Sequence, residues 1–212
     1  MLVQDIMQTQ VITATIKTTL PEILRLLERR GFRHVPVVDD GALVGIIADR
    51  DVKGAMISAA TSTEGRERDR LLERLTAGEI MTRTVTTVAP MFAVEEAARL
   101  MVTQKISALP VTEGGRLVGI VTETDVLRLF VRAMGALEPS SRIDVLLGDQ
   151  PGALPDVIQT VERSGAAISS VMTLIGRSGT REAVIRVATI NPGAAIKALE
   201  AKGYTVRDSW RG

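Results

Sequence analysis

The 212-residue chain has no cysteine, and histidine, asparagine, tryptophan and tyrosine occur once each. Without cysteine there is no disulfide, no thiol nucleophile and no thiolate metal ligand. With His34 the only imidazole, a Ser-His nucleophile or a histidine metal centre is hard to assemble. The patterns G-x-x-x-x-G-K-[ST], H-E-x-x-H and G-x-S-x-G are missing too. The expectation is a protein without catalytic residues, metal or catalytic cofactor. Aromatics are 2% of residues while apolar residues are 45%, so the core must be built from Val, Ile, Leu, Ala and Met. Charge of one sign is not in excess: 26 Lys and Arg face 25 Asp and Glu. A net charge of +1 supplies no general pull toward nucleic acid or membranes. No apolar run approaches the roughly 20 residues that span a bilayer, and the opening MLVQDIMQ lacks the basic and apolar segments of a signal peptide. A cytoplasmic location is expected.

What is present is a repeat. Residues 4–52 align without a gap on residues 78–126, at a constant shift of 74, and sixteen of the 49 pairs are identical. Chance would match about one pair in fifteen at average composition, so the unit is duplicated. Shared are Ile6-Met7 with Ile80-Met81, Pro36-Val37 with Pro110-Val111, Leu43–Ile46 with Leu117–Ile120, and Asp51-Val52 with Asp125-Val126. Each copy reads as β-α-β-β-α. In the first, Thr19-Leu-Pro-Glu22 forms a capping box before the stripe Ile23, Leu24, Leu26 and Leu27, and Gly31 ends the helix. Val35–Val38 and Leu43–Ala48 read as strands around the turn Asp39-Asp40-Gly41, and a helix opens at Asp49–Asp51. In the second, a helix over Val94–Lys105 precedes strands Leu109–Thr112 and Leu117–Thr122 around Glu113-Gly114-Gly115, with a helix from about Asp125. The boundaries are residues 1–58 and 78–135, with a charged linker over 59–77. Its Arg66–Leu75 stretch fits either a solvated helix or a flexible connection.

The C-terminal third differs. After Glu138-Pro-Ser-Ser141, residues 141–212 read as a separate β-α-β-β-α-β unit, the ferredoxin-like order. Its strands are Ile143–Leu147, Ile168–Ile175, Ala183–Val187 and Tyr204–Arg207. Its helices are Ala153–Ser164 and one opened by Asn191 as N-cap and Pro192 as first residue, ending at Gly203. The fold class is α/β in the broad sense (α+β).

Chemistry concentrates where the second strand of each repeat runs into a helix. Thr122 and Asp125 stand beside a helix N-terminus, whose unpaired N–H groups suit a phosphate. A carboxylate can accept both hydroxyls of a ribose diol. The same T-x-x-D is also an ordinary helix cap.

The repeat resembles a pair of cystathionine β-synthase (CBS) domains. The residues that carry the likeness are the hydrophobic-Pro-Val strands at Pro36 and Pro110 and the segments Gly45–Asp51 and Gly119–Asp125, over about residues 1–132. The resemblance implies a regulatory sensor that takes an adenine nucleotide (AMP, ADP or ATP) in clefts between the copies. One cleft would use Ile120, Thr122, Thr124 and Asp125 with Ile12, Phe32, Arg33 and His34. Arg33 would meet phosphate, and His34 fits a structural polar role better. The other would use Ile46, Ala48 and Asp51 with Thr86, Ile106 and Ser107. There Ala48 lacks the hydroxyl and Ser107-Ala108 brings no charge, so this cleft is expected to be weaker or empty.

The C-terminal unit resembles an ACT domain through Asp149-Gln150-Pro151-Gly152-Ala153-Leu154. That implies an amino-acid site at Asp149, Gln150, Gly152, Ala153 and Leu154, or dimerisation alone. The order of the three units is similar to the acetoin-utilisation protein B type. A homodimer and an unidentified regulated enzyme are the expected partners; a ligand-independent scaffold for that enzyme is the alternative.

Overall fold

The structure, a computed structural model, describes residues 1–30, 32–62, 65–148, 150–176 and 179–207. It divides into two compact units, Met1–Val126 and Leu127–Gly212.

In the first unit, helix α1 (Leu20–Arg30) starts where the sequence puts a capping box: the Thr19 amide donates to Glu22 Oε2 at 2.8 Å. Those hydrogen bonds hold the Glu22 carboxyl below its ordinary range. Ile23 and Leu27 are buried, with Leu24 and Leu26 half-buried beside them. Each fully buried aliphatic side chain is worth about 1.5–3 kcal/mol. Gly31 lies outside the described residues. Strands β1 (His34–Asp39) and β2 (Ala42–Ala48) form a hairpin whose loop residues Asp40 and Gly41 have φ of 47° and 79°. Positive φ at both positions is the type I′ geometry that matches strand twist. Helix α2 (Asp49–Ser62) follows, then α3 (Gly65–Arg74) and α4 (Ala77–Ile80). The linker stretch is thus helical, and Leu72 and Leu75 pack on the same core as Ile23 and Val37.

The second copy gives α5 (Val94–Gln104), β3 (Ala108–Glu113), β4 (Arg116–Thr122) and α6 (Glu123–Ala133), the last beginning two residues before Asp125. The four strands make one antiparallel sheet in the order β1-β2-β4-β3. The first strand expected in each copy is only a single bridge, Ala14 to Val37 and Val88 to Val111. The prolines explain why: the Ala14 N–H donates to the Pro36 carbonyl and the Ala14 carbonyl accepts from the Val38 N–H, and Val88 does the same with Pro110 and Thr112. Proline has no N–H, so the pairing cannot extend.

The central strands β2 and β4 are in register only at Ala42 and Arg116, then part. Each is met instead by the start of the other copy. Gln8 and Ile120 exchange two backbone hydrogen bonds, at 2.9 and 3.0 Å, and Thr82 and Ile46 exchange two, at 2.9 and 3.0 Å. Gly119 and Gly45 make the crossing possible. A Cβ on Gly119 would lie 2.6 Å from Met7 Sδ and 3.1 Å from the Gln8 carbonyl oxygen; one on Gly45 would strike Met81 and lie 3.1 Å from the Thr82 carbonyl oxygen.

The second unit contains β5 (Ser141–Leu146), α7 (Ala153–Arg163), β6 (Ile168–Ile175), β7 (Arg181–Val187), α8 (Gly193–Ala201) and β8 (Thr205–Arg207). The antiparallel order β6-β7-β5-β8 is that of the expected ferredoxin-like arrangement. Ile143, Val145, Ile185 and Val187 pack under Val157, Val161 and Leu199 of the helices. The N-cap of α8 is Pro192 rather than Asn191, whose Oδ1 accepts the Gly193 amide at 3.2 Å. The Asn side chain thus binds the backbone two residues on, as in an Asx turn. Among the described residues, no helix is long and apolar enough to cross a membrane.

Candidate functional site

The crossing of chain starts over β2 and β4 repeats at the 74-residue shift. At the Ala48 end it borders a cleft with a volume of about 120 Å³. It is lined by all six residues assigned to the Ala48 cleft: Ile46, Ala48, Asp51, Thr86, Ile106 and Ser107. The shift maps these six, in order, onto Ile120, Thr122, Asp125, Ile12, Phe32 and Arg33. Of the residues assigned to the Thr122 cleft, Ile12 is half-buried, while Phe32, Arg33 and Thr124 are exposed, as is Glu123.

Asp125 is buried, with 7% of its surface accessible. Its Oδ2 accepts the Thr122 amide at 2.9 Å and the Thr122 hydroxyl at 2.6 Å. The carboxylate therefore caps α6, as the sequence allowed, and at the same time holds a negative charge and a fixed hydroxyl at the end of β4. In the Ala48 cleft the amide bond persists, Ala48 N–H to Asp51 Oδ2 at 2.7 Å, but the hydroxyl is missing.

The structure changes the assignment of His34. It lines the Ala48 cleft, together with Asp49 and Arg50. Charge there comes from these residues rather than from the Ser107-Ala108 position. Ser107 Oγ and His34 Nε2 share a hydrogen bond of 2.9 Å that joins the two copies. The adjoining backbone ties each helix to the other feature of the pair: Asp49 N–H donates to the Arg33 carbonyl and Glu123 N–H to the Ser107 carbonyl, both at 3.1 Å. Sequence reasoning missed Arg50, Thr82 and Thr84 in this cleft. The signal for Thr82 was the repeat itself, since residues 80–82 repeat the segment that crosses from the other copy.

Burial, and then the nearby Arg33 charge, push the His34 imidazole below its ordinary value of 6.5; Arg50 adds to this, and Asp49 and Glu123 oppose it. The unfolded chain therefore takes up a proton near pH 6.5 that the folded chain refuses until lower pH. Stability is greatest above that value and falls as pH drops below it. Urea midpoints measured from pH 7.5 to 5.5 should decline for the wild type and decline less for His34→Gln. Parallel declines would place the proton uptake elsewhere.

At the start of α7 in the second unit, Gly152 has φ of 86° and is exposed, as is Gln150. Ala153 and Leu154 are packed into the core, and Asp149 lies outside the described residues. Asp156 accepts from Tyr204 Oη at 2.8 Å and from Lys202 Nζ at 2.5 Å, which pins the helix start to the end of the chain. Lys202, then Tyr204, hold that carboxyl below its usual range.

Two copies of one α/β unit, sharing one antiparallel sheet and crossing onto each other's central strand, define a tandem-repeat module. The chain belongs to the CBS domain family, which matches residues 3–58 and 77–132. It is similar to the CBS domain pair of protein MJ0100, solved in complex with 5′-methylthioadenosine and S-adenosyl-L-methionine: 35% identity, TM-score 0.52, covering 61% of this chain and 95% of that one. It is also similar to an acetoin utilization protein, AcuB, from Vibrio cholerae, at 32% identity and TM-score 0.56 over 66% of this chain and 98% of that one. The structure of CBSX2 in complex with AMP matches at 27% identity and TM-score 0.53, over 62% and 96% of the two chains.

Proposed function

We propose that this chain is a regulatory sensor that binds an adenine nucleotide of the AMP, ADP or ATP type between its two CBS copies and performs no catalysis. The observation that carries this is Asp125, a buried carboxylate bonded to Thr122 at the start of α6. A ribose diol donates to such a carboxylate, the helix N-terminus favours phosphate, and Arg33 offers a planar guanidinium to its oxygens. That relatives have been solved with adenosine compounds supports the adenine part. The Thr122 cleft is the stronger of the two. At about 120 Å³ the Ala48 cleft lies below the usual range for small-molecule pockets, so a nucleotide must widen it to enter. Thermal unfolding with AMP, ADP, ATP and S-adenosylmethionine tests the proposal. A ligand at 100 times its Kd stabilises the fold by about 2.7 kcal/mol, and no shift with any of the four would overturn it.

The second unit acts as an ACT-type domain, for dimerisation or for an amino acid at the Gln150–Leu154 turn. Its topology supports the assignment. Strand β6 supports a homodimer: it is an edge strand without charge or proline, and Val171, Leu174 and Ile175 are exposed. Such an edge is unprotected against pairing. Sedimentation should give twice the chain mass, and Leu174→Lys should shift it toward the monomer. A cytoplasmic partner enzyme would read the signal. The alternative, a scaffold indifferent to nucleotide, is favoured by the missing hydroxyl at Ala48; partner capture unchanged by nucleotide would support it.

A further inference from the structure

A second depression lies in the first unit, beside the Ala48 cleft and sharing Arg50 and Asp51 with it. It is an open groove bordered by α2, α3 and α4, with a volume of about 500 Å³, within the range of small-molecule sites. It has no counterpart in the second repeat, because α3 belongs to the segment between the copies and α6 is followed directly by β5. The duplication that builds the nucleotide clefts therefore does not account for it.

Gly54 lines this cavity from the interior of α2. Its backbone does not require glycine, and no atom lies within 4 Å of the place a Cβ would occupy. Glycine inside a helix costs about 1 kcal/mol relative to alanine. Here neither packing nor conformation explains it, and its effect is to leave room.

The walls divide by chemistry. Leu71, Leu75 and Ile80 supply an aliphatic surface, and Arg50, Asp51 and Glu79 supply charge. The Arg50 side chain is 71% exposed, and its Nε is 4.0 Å from Asp51 Oδ1. Glu79 uses Oε2 to cap Thr76, at 2.8 Å to the amide and 2.7 Å to the hydroxyl, and these bonds keep it ionised. One cation and two anions beside an aliphatic wall match neither a simple organic anion nor a simple amine. They match a zwitterion with an apolar tail.

We propose that this cavity is a site for an α-amino acid with an aliphatic side chain. Its carboxylate would meet Arg50, its ammonium group Asp51 and Glu79, and its side chain the Leu71, Leu75 and Ile80 wall. Arg50 and Asp51 also line the Ala48 cleft, so an occupant would touch two residues of the nucleotide module.

The full chain is titrated with L-leucine at millimolar concentration, by thermal unfolding and calorimetry, with no nucleotide present. The comparison compounds are 4-methylvalerate, which lacks the ammonium group, and isoamylamine, which lacks the carboxylate. Leucine should raise Tm and the two half-ligands should not. Gly54→Leu fills the space and should abolish the leucine effect. Arg50→Gln, an exposed change that spares folding, should weaken leucine at least about tenfold, the loss of one charge-assisted hydrogen bond. No response to leucine, isoleucine, valine or methionine would overturn the proposal. So would a response that persists in both variants, which would place the amino acid elsewhere, as at the Gln150–Leu154 turn. Neither result bears on nucleotide binding, which is measured separately.

Discussion

Asp125→Ala is expected to weaken nucleotide binding in the Thr122 cleft at least about tenfold and to destabilise the first unit. The carboxylate is buried and accepts two hydrogen bonds from Thr122. Alanine leaves the amide at the start of α6 without its cap, a loss of typically about 1 kcal/mol. It also leaves a hydroxyl without its acceptor, and unsatisfied groups of this kind cost about 1–3 kcal/mol each. A total of about 2–4 kcal/mol is expected in urea unfolding. For the ligand, losing the acceptor of the ribose hydroxyls should weaken binding by at least about tenfold, or 1.4 kcal/mol. Asp51→Ala is the internal control. Its side chain is 20% exposed, its Oδ2 accepts only one hydrogen bond from the Ala48 residue because no hydroxyl stands there, and Arg50 Nε lies 4.0 Å away, so both effects should be smaller. Equal losses of nucleotide affinity in the two variants would mean that the clefts are equivalent and that Ala48 does not weaken its own.

Gly119→Val should be the most damaging single change outside the aliphatic core. A Cβ at this position meets Met7 Sδ at 2.6 Å and the Gln8 carbonyl oxygen at 3.1 Å. The sulfur can swing away, but the backbone oxygen can retreat only by loosening the two hydrogen bonds between Gln8 and Ile120. Overpacking of this kind costs about 1–3 kcal/mol, and each hydrogen bond lost adds about 1 kcal/mol. The expected total is about 3–5 kcal/mol, or a Tm lower by on the order of 10 °C. Because Gln8 is bonded to Ile120, one of the residues assigned to the Thr122 cleft, nucleotide binding should fall with stability. Met7→Ala in the same chain should recover part of the loss, since it removes one of the two clashes. Gly54→Ala gives the opposite sign: with open space above it, alanine should stabilise α2 by about 0.5–1 kcal/mol. If Gly119→Val and Gly54→Ala behaved alike, the contrast between a glycine required by a crossing chain and one that borders a cavity would be wrong.

Much of this was legible before any coordinates. The gap-free shift of 74 residues carried the pairing of the copies, because a duplicated unit keeps its internal spacing. The capping box at Thr19 and the two tight turns were readable because their signals are local: a side chain bonds to a backbone three residues away, or glycine permits a positive φ. The six residues of the Ala48 cleft were named together, and the structure brings them around one cavity. Four things were not legible, and each depends on segments distant in sequence. His34 lines the Ala48 cleft because its ring reaches Ser107, 73 residues away. Each repeat's expected first strand shrinks to one bridge because only the fold sets a proline opposite it. The crossing of residues 6–8 and 80–82 appears only when β2 and β4 part. The charged stretch between the copies packs Leu72 and Leu75 on the core and, with α2, borders a groove that no motif announces. Local hydrogen bonding and backbone geometry act over a few residues and leave their mark in the sequence. Which side chains share a cleft is decided by contacts between distant segments, and only the folded chain brings those together.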